Sequence, residues 1–386
     1  MPTRISIVNV NQFENLPKAV VSAIKLIEPD ISFDFINSKS ILLKPNLIIA
    51  NKNACTQIGF VEGVVSYLKE IGVDEKNISI GDSPGQFKKS AIDVAKKIGL
   101  YEICEKLGIK FVEFESEVPV KEKIKDALRI KEYYIAKSIK DCDILINLPR
   151  LKSHAEATIT GAIKNYWGII PGGLKAKYHL LGKTEDQFGE VLADNYSWVV
   201  NNKLKRLTVY DLHTIMEGSM GPTAGKMRKW NLILVGQDEL ALDLVALEIG
   251  KFKGFLVPHI KNAISRNLGV YDLNEIEFVG MSLEKAKEIT PKFKVPYDFL
   301  TKITSYLTGN LAYKIMKKIP IINKTKCKKC GQCYQICPTE AIKFVEKSYP
   351  YFLRKKCISC LCCLETCPYN AITTRIKGIA GIFDMF

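Results

Sequence analysis

Short apolar runs alternate with helical patterns through roughly the first 290 residues of this chain. Runs such as Ile5-Ser6-Ile7-Val8-Asn9-Val10 predict strands near 5–10, 40–44, 77–81, 110–114, 143–148, 206–210, 231–236 and 275–280. Apolar residues at three- and four-residue spacing predict helices near 16–27, 58–71, 89–107, 156–169, 185–201, 238–250 and 257–267. Strand–helix alternation of this kind implies an α/β domain over residues 1–290. Its sheet is mostly parallel and carries helices on both faces.

In such a sheet ligands collect outside the carboxyl ends of the strands, so the residues after each strand are the informative ones. The first two are Lys44-Pro45-Asn46 and Gly81-Asp82-Ser83-Pro84-Gly85. Next comes Pro149-Arg150-Leu151-Lys152-Ser153-His154, ahead of a helix carrying Lys164 and Asn165. Strand 206–210 leads to Asp211, His213 and Glu217, and strand 231–235 to Gly236-Gln237-Asp238, with Asp243 one turn into the next helix. Five polar strand ends on one rim predict a ligand site.

Lys44, Arg150, Lys152 and Lys164 suit an anion, with help from a helix N-terminus after His154. His154 and His213 suit proton transfer near neutral pH. Asp82, Asp211, Glu217 and Asp243 serve to pair with the lysines, to orient the histidines or to hold a metal. The site is therefore read with Lys152, His154 and Lys164 as catalytic residues. Lys44, Asn46, Asp82, Ser83, Asn165, His213, Glu217 and Asp243 are read as binding residues. Lys152 and His154 flank Ser153 in an extended segment and point the same way, one to hold the anion and one to exchange a proton. His179, in the loop from Pro171 to Lys183, and His259 have weaker contexts.

The C-terminal region carries a second kind of pattern. Cys327, Cys330, Cys333 and Cys337 stand at C-x-x-C-x-x-C-x-x-x-C-P spacing, and Cys357, Cys360, Cys363 and Cys367 repeat it. The repeat continues into Pro338-Thr339-Glu340-Ala341-Ile342 and Pro368-Tyr369-Asn370-Ala371-Ile372. A zinc site would want separated pairs of ligands, and a disulfide framework has no such doubled arithmetic. The spacing is that of bacterial-type ferredoxins, in which the fourth cysteine of each run serves the other cluster. That assigns Cys327, Cys330, Cys333 and Cys367 to one 4Fe–4S cluster, and Cys357, Cys360, Cys363 and Cys337 to another. Residues 323–386 thus resemble a small α+β dicluster ferredoxin domain.

Charge and composition refine this outline. The 386 residues are 47% hydrophobic with a formal net charge of +15. Ten lysines and one acid, Asp298, fall between Pro291 and Cys330, which marks 291–322 as a basic amphipathic linker with a helix expected over 299–318. That helix is read as packed on the protein, the alternative being an anionic membrane surface. No nucleic-acid-binding motif accompanies the charge. No apolar run is long enough to span a membrane, and the N-terminus reads as a strand rather than a signal peptide, so a reducing cytoplasm, anaerobic in character, is expected. Of the remaining cysteines, Cys104 and Cys142 are expected to be buried and inert. Cys362 lies between ligands, and Cys55 is left over.

No G-x-G-x-x-G follows a strand, Gly225-Lys226 fails as a P-loop because Met220 and Met227 occupy required positions, and no H-E-x-x-H is present. Over residues 5 to 285 the chain resembles the uncharacterised domain-of-unknown-function 362 family. The carriers are Leu42-Leu43-Lys44-Pro45-Asn46, Gly81 to Gly85, Pro149-x-Leu151-Lys152-x-His154, Gly161-x-x-Lys164-Asn165-x-x-Gly168, Glu217-Gly218-x-x-Gly221-Pro222 and Asp238-x-x-x-x-Asp243. The resemblance implies an iron–sulfur protein of redox function and brings no substrate with it. The reading reached is an iron–sulfur oxidoreductase that passes electrons from a low-potential donor through two 4Fe–4S clusters to a small anionic substrate on the rim. The alternative is a non-catalytic electron-transfer or assembly protein whose α/β domain docks a partner or holds a metal.

Overall fold

The computed structural model describes residues 3–85, 90–218, 221–295 and 318–376. In chain order, β1 (Thr3–Asn9), α1 (Leu16–Lys25), β2 (Ile41–Pro45), α2 (Ile58–Glu70) and β3 (Ile78–Asp82) open the α/β domain. They are followed by α3 (Ala91–Ile98), α4 (Leu100–Leu107), β4 (Lys110–Glu113), β5 (Val120–Lys123), β6 (Glu132–Ile135) and α5 (Lys137–Asp141). The middle of the domain comprises β7 (Ile144–Leu148), β8 (Arg150–His154), β9 (Thr158–Thr160), α6 (Ala162–Asn165), α7 (Leu174–Tyr178) and α8 (Glu185–Asn202). It closes with β10 (Arg206–Glu217), β11 (Lys226–Gly236), α9 (Glu239–Ile249), α10 (Pro258–Ser265), β12 (Ile276–Gly280) and α11 (Leu283–Ile289).

The main sheet has the order β12-β1-β11-β10-β7-β2-β3-β4, with β8 against β10 and β9 against β8. Strands β10, β7, β2, β3 and β4 are mutually parallel, whereas β11 is antiparallel to both β10 and β1. Alternate strand residues face opposite ways, and both faces are covered. Leu42, Leu145, Leu232 and Leu234 join one core with α8, α9 and α10. Ile41, Leu43, Ile144, Ile146 and Val235 join the other with α1 and α2. Every residue of β2 and β7 is buried, as a strand covered on both faces requires. Truncating Leu145, fully buried in this layer, to alanine costs about 2–5 kcal/mol.

Four sequence expectations change. The helix expected over 156–169 begins only at Ala162, because Lys152, Ser153 and His154 pair with Thr160, Ile159 and Thr158 in a tight hairpin. The helix expected over 89–107 is two helices, parted at Gly99, whose φ of 82° ends the first. Strand β10 does not stop at 210; it runs on to Glu217 beside β11, with an irregularity between Leu212 and Thr214. Asp211, His213 and Glu217 therefore lie within a ladder instead of beyond a strand end. Finally, β11 runs against its neighbours, so Asp238 lies at the opposite edge from the other strand ends, where it caps α9 by accepting from the Ala241 N–H. The eight residues 218–225 are too few for a parallel crossover.

The cysteine region begins with β13 (Lys318–Ile322), which pairs antiparallel with β16 (Ile372–Ile376). Between them lie two short helices, Gln332–Gln335 and Cys362–Thr366, and the two-residue strands β14 (Ile342–Lys343) and β15 (Tyr351–Phe352). The last five residues of the expected linker thus belong to this module, and the helix expected over 299–318 falls almost wholly outside the described residues. No described helix is long and apolar enough to cross a membrane.

Candidate functional site

The strand ends of β2, β3 and β7 carry a buried polar network. Asn165 is its hub: its amide donates to Asn147 Oδ1 (2.7 Å) and to the Lys44 carbonyl (3.2 Å), and its Oδ1 accepts from Asn46 (2.9 Å). Lys152 Nζ donates to Asn46 Oδ1 and to the Ala54 carbonyl, both at 2.7 Å. Lys44 Nζ lies 2.7 Å from Asp82 Oδ1, and Asp82 Oδ2 accepts the Leu47 N–H at 2.6 Å. Burial lowers the pKa of Lys44, with Asp82 opposing, and brings Lys152 down to about 7.

Two glycines of the Gly161-x-x-Lys164-Asn165-x-x-Gly168 run are needed for space. A Cβ at Gly168 would sit 2.0 Å from Asp82 Oδ1, and one at Gly161 would sit 2.1 Å from Asp243 Oδ1. Asp243 itself accepts the N–H groups of Ala162 (2.7 Å) and Ile163 (3.0 Å) and the Tyr210 hydroxyl (2.9 Å). It therefore fixes the start of α6 and with it the position of Lys164. Burial raises its pKa to about 6 against these donors.

Above this network is a cavity. Lys44, Asn46, Asp82, Ser83, Lys164 and Asn165 contribute to its wall, six of the eleven residues read from the sequence. The second part of the wall comes from Trp167, Lys175 and His179, and the third from Ile336, Cys362, Glu365 and Thr366 of the cysteine module. The module is docked there by the Thr366 hydroxyl donating to the Gly85 carbonyl (3.1 Å), and by Ala155 packed among Leu361, Cys362 and Leu364.

The remaining sequence candidates have other partners. His154 Nδ1 accepts the N–H groups of Glu156 and Ala157, both at 3.1 Å, which leaves its proton on Nε2, 3.0 Å from Glu365 Oε1. Burial drives the His154 pKa down to about 4, so the ring is neutral. Burial would raise the Glu365 carboxyl, but His154 and Lys164 outweigh it and hold it at about 2. His154 is thus a brace between rim and module behind the cavity wall, and Lys152 is committed to Asn46 and Ala54. Glu217 accepts from Arg228 (2.7 Å) and from the Lys294 N–H (3.1 Å), and His213 sits half-buried at the irregularity of β10; neither lines the cavity.

The cavity has features that strand-end reasoning did not find. Lys175 Nζ donates to the carbonyls of Ser83 and Pro84, and burial lowers its pKa to about 8. His179 Nδ1 lies 3.5 Å from Glu156 Oε2, and although burial opposes it, Glu156 holds the imidazole above its ordinary pKa. The signal available was the four-residue spacing of Lys175 and His179, which puts them on one helical face. Two groups are left open toward the cavity. Lys164 Nζ has no hydrogen bond or ion pair among the described residues, and Thr160 Oγ1 is buried without a partner. Burial lowers the Lys164 pKa, with Glu365 and Glu156 opposing.

The cysteines form two cages. One is lined by Cys327, Cys330, Cys333 and Cys367, the other by Cys357, Cys360, Cys363 and Cys337, so the fourth ligand of each run reaches across. Backbone N–H groups of Ala341 and Ala371 donate to the sulfurs of Cys337 (3.1 Å) and Cys367 (3.3 Å), as stabilised thiolates require. No three His, Cys, Asp or Glu side chains among the described residues converge on a single metal ion. The all-cysteine donor sets and their spacing along the chain fit iron–sulfur clusters. Cys55, Cys104 and Cys142 are buried in the α/β domain, where burial raises their pKa to about 11, 12 and 11.

Comparison with known proteins agrees. The model of a 4Fe-4S dicluster domain matches residues 326–371. The thylakoid-associated protein sll1697 of Synechocystis is 32% identical over 222 residues, which cover 56% of this chain and 65% of that protein. A crystal structure of a Thermotoga maritima protein shares 12% identity over 52% of this chain and 51% of its own, with a TM-score of 0.37, too distant to carry an argument. The model of the domain of unknown function DUF362 matches residues 41–248, more than half of the chain, and with the rim motifs placed as described the protein belongs to the DUF362 family.

Proposed function

We propose that this protein is an iron–sulfur oxidoreductase that delivers electrons from a low-potential donor to a small anionic substrate in the cavity between rim and cysteine module. The observation that carries this reading is Cys362, which lines both the second cysteine cage and the substrate cavity. When bound in the cages, two 4Fe–4S clusters supply one electron each within the wide range of potentials such centres span.

The protein's own groups account for the rest. Lys164, with no partner of its own, holds the anion, and Thr160 Oγ1 adds a hydrogen bond. Lys175, beside the Lys44–Asp82 ion pair, adds positive charge to the floor of the cavity. A charged ligand is worth more in this buried setting than in water. A two-electron reduction consumes two electrons and two protons. His179, kept protonated by Glu156, gives one proton, and the Lys164 ammonium gives the other. His154 is a positioning residue that holds Glu365 and the hairpin from β8 to β9.

The test uses anaerobically purified, reduced protein. Small carboxylates and phosphates bearing a reducible C=C, C=O or N–O group are added while recovery of the visible absorbance is followed. At least one should reoxidise the protein, and Lys164→Ala should abolish that reoxidation with iron content unchanged. If no anion reoxidises it, or if Lys164→Ala reacts at the parent rate, the proposal fails.

A further inference from the structure

The two cages differ in what surrounds them. The second is packed against the α/β domain through Cys362, Leu361 and Leu364, whereas Cys330 of the first is exposed to solvent. Around Cys330 the surface is basic: Lys324, Lys326, Lys328 and Lys329 are all exposed, and residues 323–331 contain no acid. An aromatic side chain lies among them. Lys329 Nζ is 4.7 Å and Lys324 Nζ 5.7 Å from the centroid of Tyr349, which is 40% exposed. Tyr334, 46% exposed, lies beside Phe344, whose ring closes over Gly331 next to Cys330. Glu346 is the one acid on the turn that carries Tyr349.

We infer that this face is the docking surface for an acidic electron-carrier protein, so that electrons enter at the cage of Cys330 and leave at the cage beside the cavity. The inference rests on the iron–sulfur reading and not on the identity of the substrate. Four lysines around an exposed ligand steer an acidic partner to the point where the cage comes nearest to solvent, and such steering raises encounter rates by about 10-fold to 1,000-fold. Tyr349 and Tyr334 supply the small apolar centre that a transient redox interface of under about 1,200 Å² needs. Lysine serves this purpose well, because a hydrated point charge attracts without locking the partner in place. The step served is a one-electron transfer: the carrier is oxidised by one electron, the module is reduced by one, and no bond or proton is exchanged. The second cage keeps exposed Arg354, Lys355 and Lys356 ahead of its first ligand, but Ile358 and Ser359 replace Lys328 and Lys329, and Cys360 is less exposed than Cys330.

The test uses the full chain with its clusters and, as probe, a plant-type [2Fe–2S] ferredoxin of strongly acidic surface. Two readouts are taken. One is carbodiimide cross-linking of the oxidised proteins, mapped by mass spectrometry. The other is the second-order rate of cluster reduction at low and high salt. Cross-links should fall on Lys324, Lys326, Lys328 and Lys329, and the rate should drop at least 10-fold between about 0.02 and 0.5 M salt, where charge acts over only a few ångströms. Lys324→Glu/Lys326→Glu, outside the ligand spacing, and Lys328→Glu/Lys329→Glu, inside it, should each lower the low-salt rate at least 10-fold. Reduction by methyl viologen radical should not slow, and Lys355→Glu/Lys356→Glu near the second cage should have little effect. Cross-links elsewhere, or a rate indifferent to salt and to Lys324→Glu/Lys326→Glu, would overturn the docking site and leave the iron–sulfur reading intact. A colourless protein without iron would overturn both.

Discussion

The first half of the cysteine module, Cys327 to Cys337, and the second, Cys357 to Cys367, share a ligand spacing and a backbone. Lys329 and Ser359, Gly331 and Leu361, and Glu340 and Asn370 occupy equivalent positions, and all six have φ between 48° and 73°. A left-handed conformation is free for Gly331 but costs roughly 1–2 kcal/mol for Leu361. The second half keeps it because Leu361 is 2% exposed and packs in the module core, a burial worth about 1.5–3 kcal/mol. The ligand code therefore sets the cage, and the residues between ligands set what each cage faces. In the first half those residues are Lys328, Lys329, Tyr334 and Gln335; in the second they are Ile358, Cys362, Leu364 and Glu365.

The largest test of that asymmetry is to remove one ligand from each half. Parent protein should hold about eight irons and eight labile sulfides, and Cys330→Ala or Cys360→Ala should each cut both by about half. Cys360→Ala should abolish reoxidation by the anionic substrate, whereas Cys330→Ala should mainly slow reduction by the protein donor. A colourless, zinc-loaded product would sink the cluster assignment, and identical defects would erase the asymmetry.

A next, smaller effect concerns α6. Asp243→Ala removes the acceptor for two buried N–H groups and for Tyr210, at a cost of about 2–3 kcal/mol, read as a lower denaturant midpoint. An unchanged midpoint would show that Asp243 does not fix α6. Anion affinity gives a pH test. Lys175 loses its positive charge above about 8, so binding of a probe such as malonate should weaken as pH rises through that value, approaching a tenfold loss per pH unit. Constant affinity from pH 7 to 9.5 would remove Lys175 from the site. The smallest expected change is Thr366→Val, which deletes the hydrogen bond to Gly85 at about 1 kcal/mol. It should loosen the docking of the second half, seen as faster hydrogen exchange at Glu365 and Thr366, and leave the first half as it was.

How much of this could be read from the sequence depends on the reach of each interaction. The cages were legible, cross-over included, because ligand spacing is local. Lys44, Asn46, Asp82, Ser83, Lys164 and Asn165 were legible because parallel strands send their ends to one edge. The direction of β11 was misread, although the absence of a helical pattern between β10 and β11 already excluded a parallel crossover. Glu365 and Thr366 were beyond reach: nothing local says that a ferredoxin-like module will close over a rim whose Gly85 lies 281 positions before Thr366. His154 reads as a proton-transfer group because it follows a strand end and a histidine titrates near neutral pH, whereas its ring accepts two backbone N–H groups, faces Glu365 and does not line the cavity.

The hydrogen bond from Thr366 to Gly85, 281 positions apart, and the contact of His154 with Glu365 make one cavity out of two distant stretches of sequence. The cavity exists only while the module is seated on the rim, because each supplies part of the wall. A ligand that fills it touches both, so seating and occupancy are linked equilibria: whatever tightens one tightens the other.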